Sequence, residues 1–528
     1  MQILKNTSVV SIILLSVLFV TSLNTFAQTK GTISFTISMN NPQAHYFHVV
    51  MNCSGITKDT LTFKMPVWMP GYYQIMNYAN NVENFHVSNT AGKEIKWERV
   101  SSNAWNVFSN KTTSATVSYD VKATVQFVAA NYLDEQRGYI SPCGIFLYLN
   151  DGIDYPATVA IKPYANWRIA TGLDSVAGKL YTYTASNFNV LYDCPILMGN
   201  LEELPSFTVN GVKHKFIGYK LGDFNREKFM NDLKKVVESG INIIGDIPYK
   251  QYTFLAIGPG RGGIEHLNSC TISFDGKELN TTSGKQRMLS FIAHEYFHHY
   301  NVKRIRPFEL GPFDYDKENR TNLLWVSEGF TVYYEYLMLK RAGLISTEDL
   351  LHSFQSSIEA YENNPGHLHQ SLTQASYETW SDGPFGNSGN KVNRTISYYD
   401  KGPAIGLLID FTIRHATNNS KSLDDVMRLL YKEYYQQKQR GFSDAEFQQA
   451  CETIADTSLT DIFEYVNTTK EIDYNKYLTY AGLTINITPI NTSTANTATE
   501  ITKRNFQIMP INKPDELQQK ILKSWLGE

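Results

Sequence analysis

The sequence has few cysteines and none of the spacings that thiolate metal sites use. Its five cysteines include no Cys-x-x-Cys pair, which argues against zinc binding through thiolates. In an oxidising compartment one or two disulfides could form, and the odd number leaves at least one thiol unpaired. We leave open how they pair. They are Cys53, Cys143, Cys194, Cys270 and Cys451.

The chain also lacks a basic excess and a long apolar run within its body. Lys and Arg number 48 against 51 Asp and Glu, so the formal net charge is −3 and nucleic acid is not an expected partner. Beyond the N-terminal segment no apolar run approaches the ~18 residues that a membrane span needs, so we expect no stable membrane insertion. With 42% hydrophobic and 19% charged residues in 528, the chain is predicted to be globular and multidomain. Its oligomeric state is left open.

The N-terminal segment has the features of an export signal. Lys5 supplies a positive charge, Val9–Val20 is apolar apart from two serines, and Thr-Phe-Ala at 25–27 places small residues before a cleavage site. We therefore expect cleavage between Ala27 and Gln28 and a secreted or periplasmic mature protein. An uncleaved signal anchor is the alternative.

Hydrophobic patterning divides the rest of the chain into a strand-rich part and a helix-rich part. Short alternating or apolar runs up to about residue 200, separated by Asn, Asp, Gly and Pro, predict an antiparallel β-sandwich. These runs are Thr32–Met39, Tyr46–Asn52, Thr60–Trp68, Ala115–Val121 and Lys179–Thr184. Further on we predict a helix over Phe224–Ile244 capped by Asp223, a strand at Tyr252–Ile257 and a mostly helical region over Lys285–Gly482 that has Pro403 near a helix start.

Residues 294–298 read His-Glu-Tyr-Phe-His. In a helix, positions i and i+4 lie on one face with Cβ atoms about 5–6 Å apart, so His294 and His298 can bind one zinc ion. Glu295 is then placed to act as a general base toward an attacking water. The alternative is a buried helix with incidental histidines. His299 is turned by about 100° from His298 around such a helix, so we interpret it as structural.

Glu328 is the predicted third metal ligand. It lies near the start of a second helical segment, Leu323–Glu335. Two histidines and one carboxylate leave a fourth position open, as catalytic zinc sites require. Taken alone, Glu328 would be read as an acid that favours the helix dipole.

Gly258–Gly263 matches the pattern Gly-x-Gly-x-x-Gly, but it does not predict a nucleotide site. The run that follows, Ile264–Phe274, has the character of a strand, so no helix N-terminus is available for a pyrophosphate. We interpret the glycines as a turn into an edge strand along which an extended substrate can lie. That strand carries Glu265.

Four motifs in this order resemble the glycyl aminopeptidase family of zinc metallopeptidases, which belongs to the thermolysin-like gluzincins. They are Gly-Gly-Ile-Glu-His (262–266), His-Glu-Tyr-Phe-His-His-Tyr-Asn-Val-Lys-Arg-Ile-Arg-Pro (294–307), Trp-Val-Ser-Glu-Gly-Phe (325–330) and Tyr-Asp-Lys-Gly (399–402). Met-Pro-Val-Trp-Met-Pro-Gly-Tyr-Tyr (65–73) is similar to that family's β-domain motif.

The resemblance implies a role for each matched residue. One Zn²⁺ would be held by His294, His298 and Glu328, and Glu295 would be the general base. Tyr399 would donate a hydrogen bond to the tetrahedral oxyanion, although Tyr398 adjoins it and Tyr399 could be an ordinary aromatic residue.

On the substrate side, the resemblance implies that Glu265 binds the free α-amine of a peptide. Gly262 and Gly263 are the expected substrate-binding residues beside it. Glu265 could alternatively face solvent, and Arg261 could pair with it and satisfy the acid internally.

The resemblance also implies a multidomain fold with a thermolysin-like α+β catalytic domain. We predict a signal peptide at 1–27, an N-terminal β-sandwich at 28–204, the zinc-binding domain at 205–343, a helical lobe at 344–482 and a short segment at 483–528. That last segment shows no PDZ domain, which many family members carry, and its first part, residues 483–503, could be a strand pair or a tethered tail. Met76 and Asn77 replace an expected Arg-Asp pair, so a substrate contact there would differ.

The sequence thus predicts a secreted zinc aminopeptidase that removes N-terminal residues, small ones such as Gly or Ala by family resemblance, from peptides. One alternative is a zinc metalloendopeptidase with the same site. The other is a secreted peptide- or glycan-binding protein with a structural zinc. An intact Glu295 beside an open ligand position argues against the last, because a structural site needs no base.

Overall fold

The computed structural model describes residues 31–56, 58–386, 391, 393–490 and 503–528. The predicted signal peptide, with its cleavage site at Ala27 and Gln28, lies outside these residues. Within the described part, none of the helices combines the length and apolarity that a bilayer crossing requires.

The N-terminal part forms sheets because its apolar residues alternate along the strands. Thr32–Ser38, for example, buries Ile33, Phe35 and Ile37 on one face. The strands are β1 (Thr32–Ser38), β2 (Tyr46–Ser54), β3 (Leu61–Lys64), β4 (Val82–Ser88), β5 (Trp97–Arg99), β6 (Ala104–Val107), β7 (Ser114–Lys122), β8 (Tyr132–Leu133), β9 (Arg137–Ile140), β10 (Tyr148–Leu149), β11 (Ala157–Lys162), β12 (Arg168–Thr171), β13 (Asp174–Ser175), β14 (Thr182–Ala185) and β15 (Ile196–Gly199). Helix α1 (Phe188–Tyr192) precedes β15.

These strands form three sheets around a shared apolar core. The largest has the order β13-β14-β11-β1-β2-β7-β4, and two four-stranded sheets have the orders β10-β3-β6-β5 and β12-β15-β9-β8. The predicted sheet domain is confirmed, with one difference: β1 pairs with β11 in parallel, so the sheet is mixed rather than purely antiparallel.

A second mixed sheet follows and positions the site. Its strands are β16 (Glu202–Glu203), β17 (Phe207–Val209), β18 (Val212–Gly218), β19 (Gln251–Ala256), β20 (Gly263–Glu265) and β21 (Ser269–Ile272). Strands β18, β19 and β21 are parallel, and β20 is the antiparallel edge strand beside β21. The predicted single strand over Ile264–Phe274 is therefore a hairpin.

Helices dominate the remainder of the chain. They are α2 (Arg226–Ile244), α3 (Thr282–Phe297), α4 (Phe330–Arg341), α5 (Thr347–Glu362), α6 (Leu372–Tyr377), α7 (Thr379–Asp382), α8 (Tyr398–Ala416), α9 (Leu423–Leu430), α10 (Asp444–Ala455), α11 (Thr460–Asn467), α12 (Tyr474–Leu478) and α13 (Glu516–Leu526), with π-helical segments at Trp325–Gly329 and Tyr431–Lys438. Short 3₁₀ turns lie at Pro42–Ala44, Tyr78–Asn81, Pro142–Gly144, Gly276–Asn280, Phe308–Leu310, Pro365–Leu368 and Thr479–Ala481.

Two predicted helix starts differ from the structure. Asn225 caps α2, not Asp223, because its side chain accepts a hydrogen bond from the amide of Lys228. Pro403 lies inside α8 rather than at its start.

One apolar core extends across the predicted boundary at 343/344 and includes the C-terminal segment. Strands β22 (Leu483–Pro489) and β23 (Arg504–Pro510) pair, and Trp525 of α13 is fully buried with its indole N–H donating to Tyr333. All five cysteines lie in the described part as buried free thiols. The arrangement of a mostly-sheet domain followed by a helical region is confirmed, while the exact domain limits stay predictions.

Candidate active site

Helix α3 presents the two histidines of the motif on one face. It is capped by Thr281, whose side chain accepts from the amide of Gly284, and His298 continues the right-handed helical conformation at its C-terminal cap. The i, i+4 spacing is therefore preserved, and the Nε2 atoms of His294 and His298 lie 2.9 Å apart.

The opposite ring nitrogens fix the tautomers. Nδ1 of His298 lies 2.8 Å from the backbone oxygen of Asn301, and Nδ1 of His294 lies 2.8 Å from Oε2 of Glu335. Both acceptors lack a proton, so each Nδ1 donates and each Nε2 of a neutral ring presents a lone pair. Such second partners commonly orient histidine ligands of metals.

Glu328 brings the third donor atom from the π-helical segment Trp325–Gly329. Its Oε2 lies 3.1 Å from Nε2 of His298 and 3.5 Å from Nε2 of His294. Asn301 holds this segment against the end of α3, because its side-chain amide donates to the carbonyls of Val326 and Ser327.

These three residues fit a divalent metal. All three donor atoms are buried, and they lie within 4.8 Å of one another. Ligands about 2.0–2.1 Å from a tetrahedral zinc ion are about 3.3 Å apart, close to the separations found here. Without a cation, two nitrogen lone pairs and a carboxylate oxygen would repel one another, so the set suits zinc.

Glu295 lies against the edge strand β20. A Cβ atom on Gly263 would overlap the Glu295 carboxylate, so only glycine allows this close approach. Burial raises the pKa of Glu295 to about 8, although the charges of His294 and His298 oppose the rise. A base kept away from water in this way can exchange a proton near neutral pH.

Tyr398 and Tyr399 have different environments at the start of α8. Tyr398 is fully buried, and its hydroxyl lies 3.0 Å from Oγ1 of Thr379. Tyr399 is half-buried, with its ring centroid 6.0 Å from that of His294. Burial and the charge of Glu328 raise the pKa of Tyr399, so its hydroxyl stays protonated and can donate.

A contact between two glycines brings Tyr399 and Glu328 together. A Cβ atom on Gly329 would lie 2.6 Å from the Cα of Gly402, and the converse holds for Gly402. The backbones of α8 and the π-helical segment therefore touch. This explains why both glycines belong to the motifs that carry the site.

Glu265 is buried on β20 and has one cation beside it. Its Oε1 lies 3.7 Å from Nζ of Lys303 and accepts no hydrogen bond within the described residues. The predicted competitor Arg261 is exposed, and the described part contains no ion pair between it and Glu265. Lys303 takes that place because Val302 has a φ of 110° and turns the chain back toward His298, whose carbonyl accepts from the Lys303 amide.

The N-terminal domain also reaches the site. A Cβ atom on Gly71 would lie 2.7 Å from Oε2 of Glu265. Burial, together with the charges of Glu328 and Glu265, raises the pKa of the buried Tyr73. The motif at 65–73 therefore supplies part of the wall around the site.

The structure thus brings the predicted ligands, base, tyrosine and Glu265 together and leaves His299 out. His299 is fully buried, and its Nδ1 bonds the carbonyl of Tyr296. Sequence reasoning missed Glu335 and Asn301, although Glu335 follows Glu328 by two helical turns and Asn301 is part of the extended motif. It also missed Lys303 and its partner Asp193, whose Oδ1 lies 2.8 Å from Nζ of Lys303, and Asp193 carries no signal in the sequence.

Comparisons with known proteins identify a peptidase family and similar solved structures. The family model described as Peptidase M61 N-terminal domain matches residues 34–200, and that described as M61 glycyl aminopeptidase matches residues 287–405. No curated protein matches the sequence. The structure is similar to an aminopeptidase N family protein from Idiomarina loihiensis, with a TM-score of 0.81, 25% identity and coverage of 86% of this chain and 79% of that one.

Two further structures share the fold at lower identity. An M1 zinc metallopeptidase from Deinococcus radiodurans has a TM-score of 0.51 at 11% identity, covering 84% of this chain and 94% of that one. A mutant of an M1 zinc metallopeptidase from the same organism, bound to a Tyr-Ser-Ala substrate, has a TM-score of 0.50 at 12% identity and covers 84% and 96%.

The glycine contact generates a prediction about α8. Gly402→Ala should force α8 away from the π-helical segment and lower kcat by about tenfold or more, since misplacement by about 1 Å can cost ~100-fold. Gly406→Ala is the matched control on the same helix, because the nearest atoms to its Cβ would be side-chain rather than backbone atoms, of Tyr333 at 3.2 Å and Phe330 at 3.3 Å. Steady-state kinetics of both variants measure the effect, and equal losses would contradict the explanation.

Proposed function

Because the chain belongs to the M61 family of peptidases, we propose that it is a zinc-dependent aminopeptidase that removes N-terminal residues from peptides. The observation that carries this proposal is on β20. One short edge strand places Gly263 against the Glu295 carboxylate and holds Glu265 two residues further on, with a carboxylate oxygen that accepts no hydrogen bond from the described residues. A peptide lying along this strand would have its first peptide bond near the base and its α-amine near Glu265.

His294, His298 and Glu328 would hold the zinc ion. When bound, zinc supplies Lewis-acid chemistry that polarises the scissile carbonyl and acidifies the attacking water. Glu295 accepts the proton of that water at its carboxylate and then delivers it to the nitrogen of the departing amine. Tyr399 donates its hydroxyl proton in a hydrogen bond to the oxygen that becomes negative in the tetrahedral intermediate.

Glu265 would bind the substrate's ammonium group. A buried free ammonium is costly unless it is paired, so an acid whose oxygen makes no hydrogen bond is a suitable partner. The preference for Gly or Ala comes from the family description alone, and we propose it on that basis. The peptide bound in the Deinococcus radiodurans structure supports peptides as the substrate class.

Export is part of the same proposal. The N-terminal segment with Lys5 and Val9–Val20 has the pattern of a cleaved secretory signal. The mass of the exported chain should correspond to Gln28 as its first residue, and a retained N-terminal segment would contradict this.

Metal dependence is the first test. Chelation should abolish hydrolysis and added Zn²⁺ should restore it, because the proposed reaction needs the Lewis acid that His294, His298 and Glu328 would hold. Glu295→Gln should keep the bound metal, measured by elemental analysis, and lose about 10²–10⁴-fold in kcat, since a positioned base contributes that factor. A variant with wild-type activity would remove Glu295 from the mechanism.

Tyr399→Phe tests the oxyanion donor. Loss of one such donor lowers kcat by about 10²–10³-fold, and kcat and kcat/KM should fall together with little change in KM. Tyr398→Phe is the neighbouring control and should change kcat little, because its hydroxyl lies beside Thr379. The reverse pattern would assign the donor to Tyr398.

Glu265→Gln separates the exopeptidase from the endopeptidase. The variant should raise KM sharply for unblocked peptides, and the wild type should scarcely cleave their N-acetylated forms, which have no ammonium to pair. Efficient cleavage of acetylated peptides at internal bonds would establish the metalloendopeptidase instead.

A further inference from the structure

Two buried carboxylates share one buried ammonium behind the edge strand. Nζ of Lys303 lies 2.8 Å from Oδ1 of Asp193 and 3.7 Å from Oε1 of Glu265. All three side chains are at most 10% exposed. Asp193 comes from the N-terminal domain, directly after α1, whereas the other two belong to the catalytic region.

The ammonium is shared unequally. Its shorter contact is with Asp193, whose other oxygen also accepts a hydrogen bond of 2.6 Å from the amide of Leu267. Burial alone would raise the pKa of Asp193, but the charge of Lys303 and the neighbouring His266 together lower it to about 2, so Asp193 stays an anion. Lys303 is therefore neutralised mainly by Asp193, and Glu265 retains negative charge that no partner balances.

The neighbouring groups do not change this balance. Nδ1 of His266 lies 3.6 Å from Oδ1 of Asp193, but neither ring nitrogen makes a hydrogen bond within the described part of the chain. His266 therefore adds no hydrogen bond to either carboxylate. Burial raises the pKa of the nearby Cys143 thiol, so it stays a thiol. The formal charges of Asp193, Glu265 and Lys303 thus sum to one net negative charge.

We propose that Asp193 is a positioning residue that binds Lys303 so that Glu265 keeps an uncompensated charge for the substrate's α-ammonium. The inference rests on the proposed function of Glu265. Two carboxylates and one ammonium become neutral when a second ammonium binds. If Asp193 were uncharged, Lys303 and Glu265 would already balance, and binding of an incoming ammonium would leave the cluster with a net positive charge.

The test measures binding without hydrolysis. In a Glu295→Gln background, calorimetry follows the dipeptide Ala-Ala and its N-acetylated form. Asp193→Asn keeps an oxygen for the Leu267 amide and removes the charge, so the affinity for Ala-Ala should fall by about 10–100-fold.

Lys303→Met should not weaken the binding of Ala-Ala, because two carboxylates remain. Combining the two substitutions leaves Glu265 alone with its charge and should restore the affinity to about that of the parent.

The affinity of the double variant decides whether Asp193 acts through Lys303. If Asp193 had a purely structural role, the double variant would bind Ala-Ala at least as weakly as Asp193→Asn does. Equal impairment would overturn the inference. Thermal unfolding and bound metal identify an Asp193→Asn protein that does not fold. In that case Lys303→Met decides, and a fall of about tenfold or more in its affinity would overturn the inference. If the parent protein binds Ala-Ala and its N-acetylated form equally well, the proposed ammonium site is wrong and this inference fails with it. If the parent prefers the free form but Asp193→Asn binds Ala-Ala as tightly as the parent does, only the inference is overturned.

Discussion

The site is organised around two nitrogen lone pairs that face each other across 2.9 Å. In the neutral rings each Nε2 presents its lone pair, because Nδ1 of His298 donates to the carbonyl of Asn301 and Nδ1 of His294 donates to Glu335. A third anionic oxygen, from Glu328, completes an arrangement that is repulsive without a cation. Only a rigid, buried frame can hold such groups together. The helix i, i+4 spacing, Asn301 and the contact between Gly329 and Gly402 form that frame.

The same frame positions the three metal ligands relative to the groups that would act on a substrate. Gly263 lets the edge strand touch Glu295, and Gly402 lets α8 bring Tyr399 next to Glu328. In both places the absence of a Cβ atom allows a close approach, so the reacting groups can lie near the metal ligands. The glycines therefore matter for function through the distances that they allow rather than through any chemistry of their own.

How much of the site could be predicted depends on how local each contact is. His294, Glu295 and His298 share one helix, and their spacing alone indicates their chemistry. Asp193 and Lys303 are 110 positions apart in the sequence, and nothing before the fold is known relates them.

The missed hairpin has the same explanation. The turn between β20 and β21 contains no Gly or Pro, and it is held instead by Asp193 on the Leu267 amide and by Asn268 on the carbonyl of Gly172. A continuous apolar run therefore read as one strand, because the turn is stabilised by tertiary contacts that the pattern does not contain. The sheet domain and the helical region could be predicted because periodicity extends over whole elements.

Binding to an edge strand does not by itself select the end of a peptide, since backbone hydrogen bonds are the same at every residue. Selection of the N-terminus needs a steric barrier to a longer chain and a negative charge that pairs with the terminal ammonium. Loops of the N-terminal domain close against this strand at two places: Gly71 lies beside Ile264 and Glu265, and the side chain of Val128 lies 3.3 Å from where a Cβ of Gly262 would be. A chain continuing past Glu265 would meet the loop that carries Gly71, whereas a terminal ammonium would meet the Glu265 carboxylate. The contact between the two domains therefore supports the proposed exopeptidase action, and Asp193, which binds Lys303, comes from the same N-terminal domain.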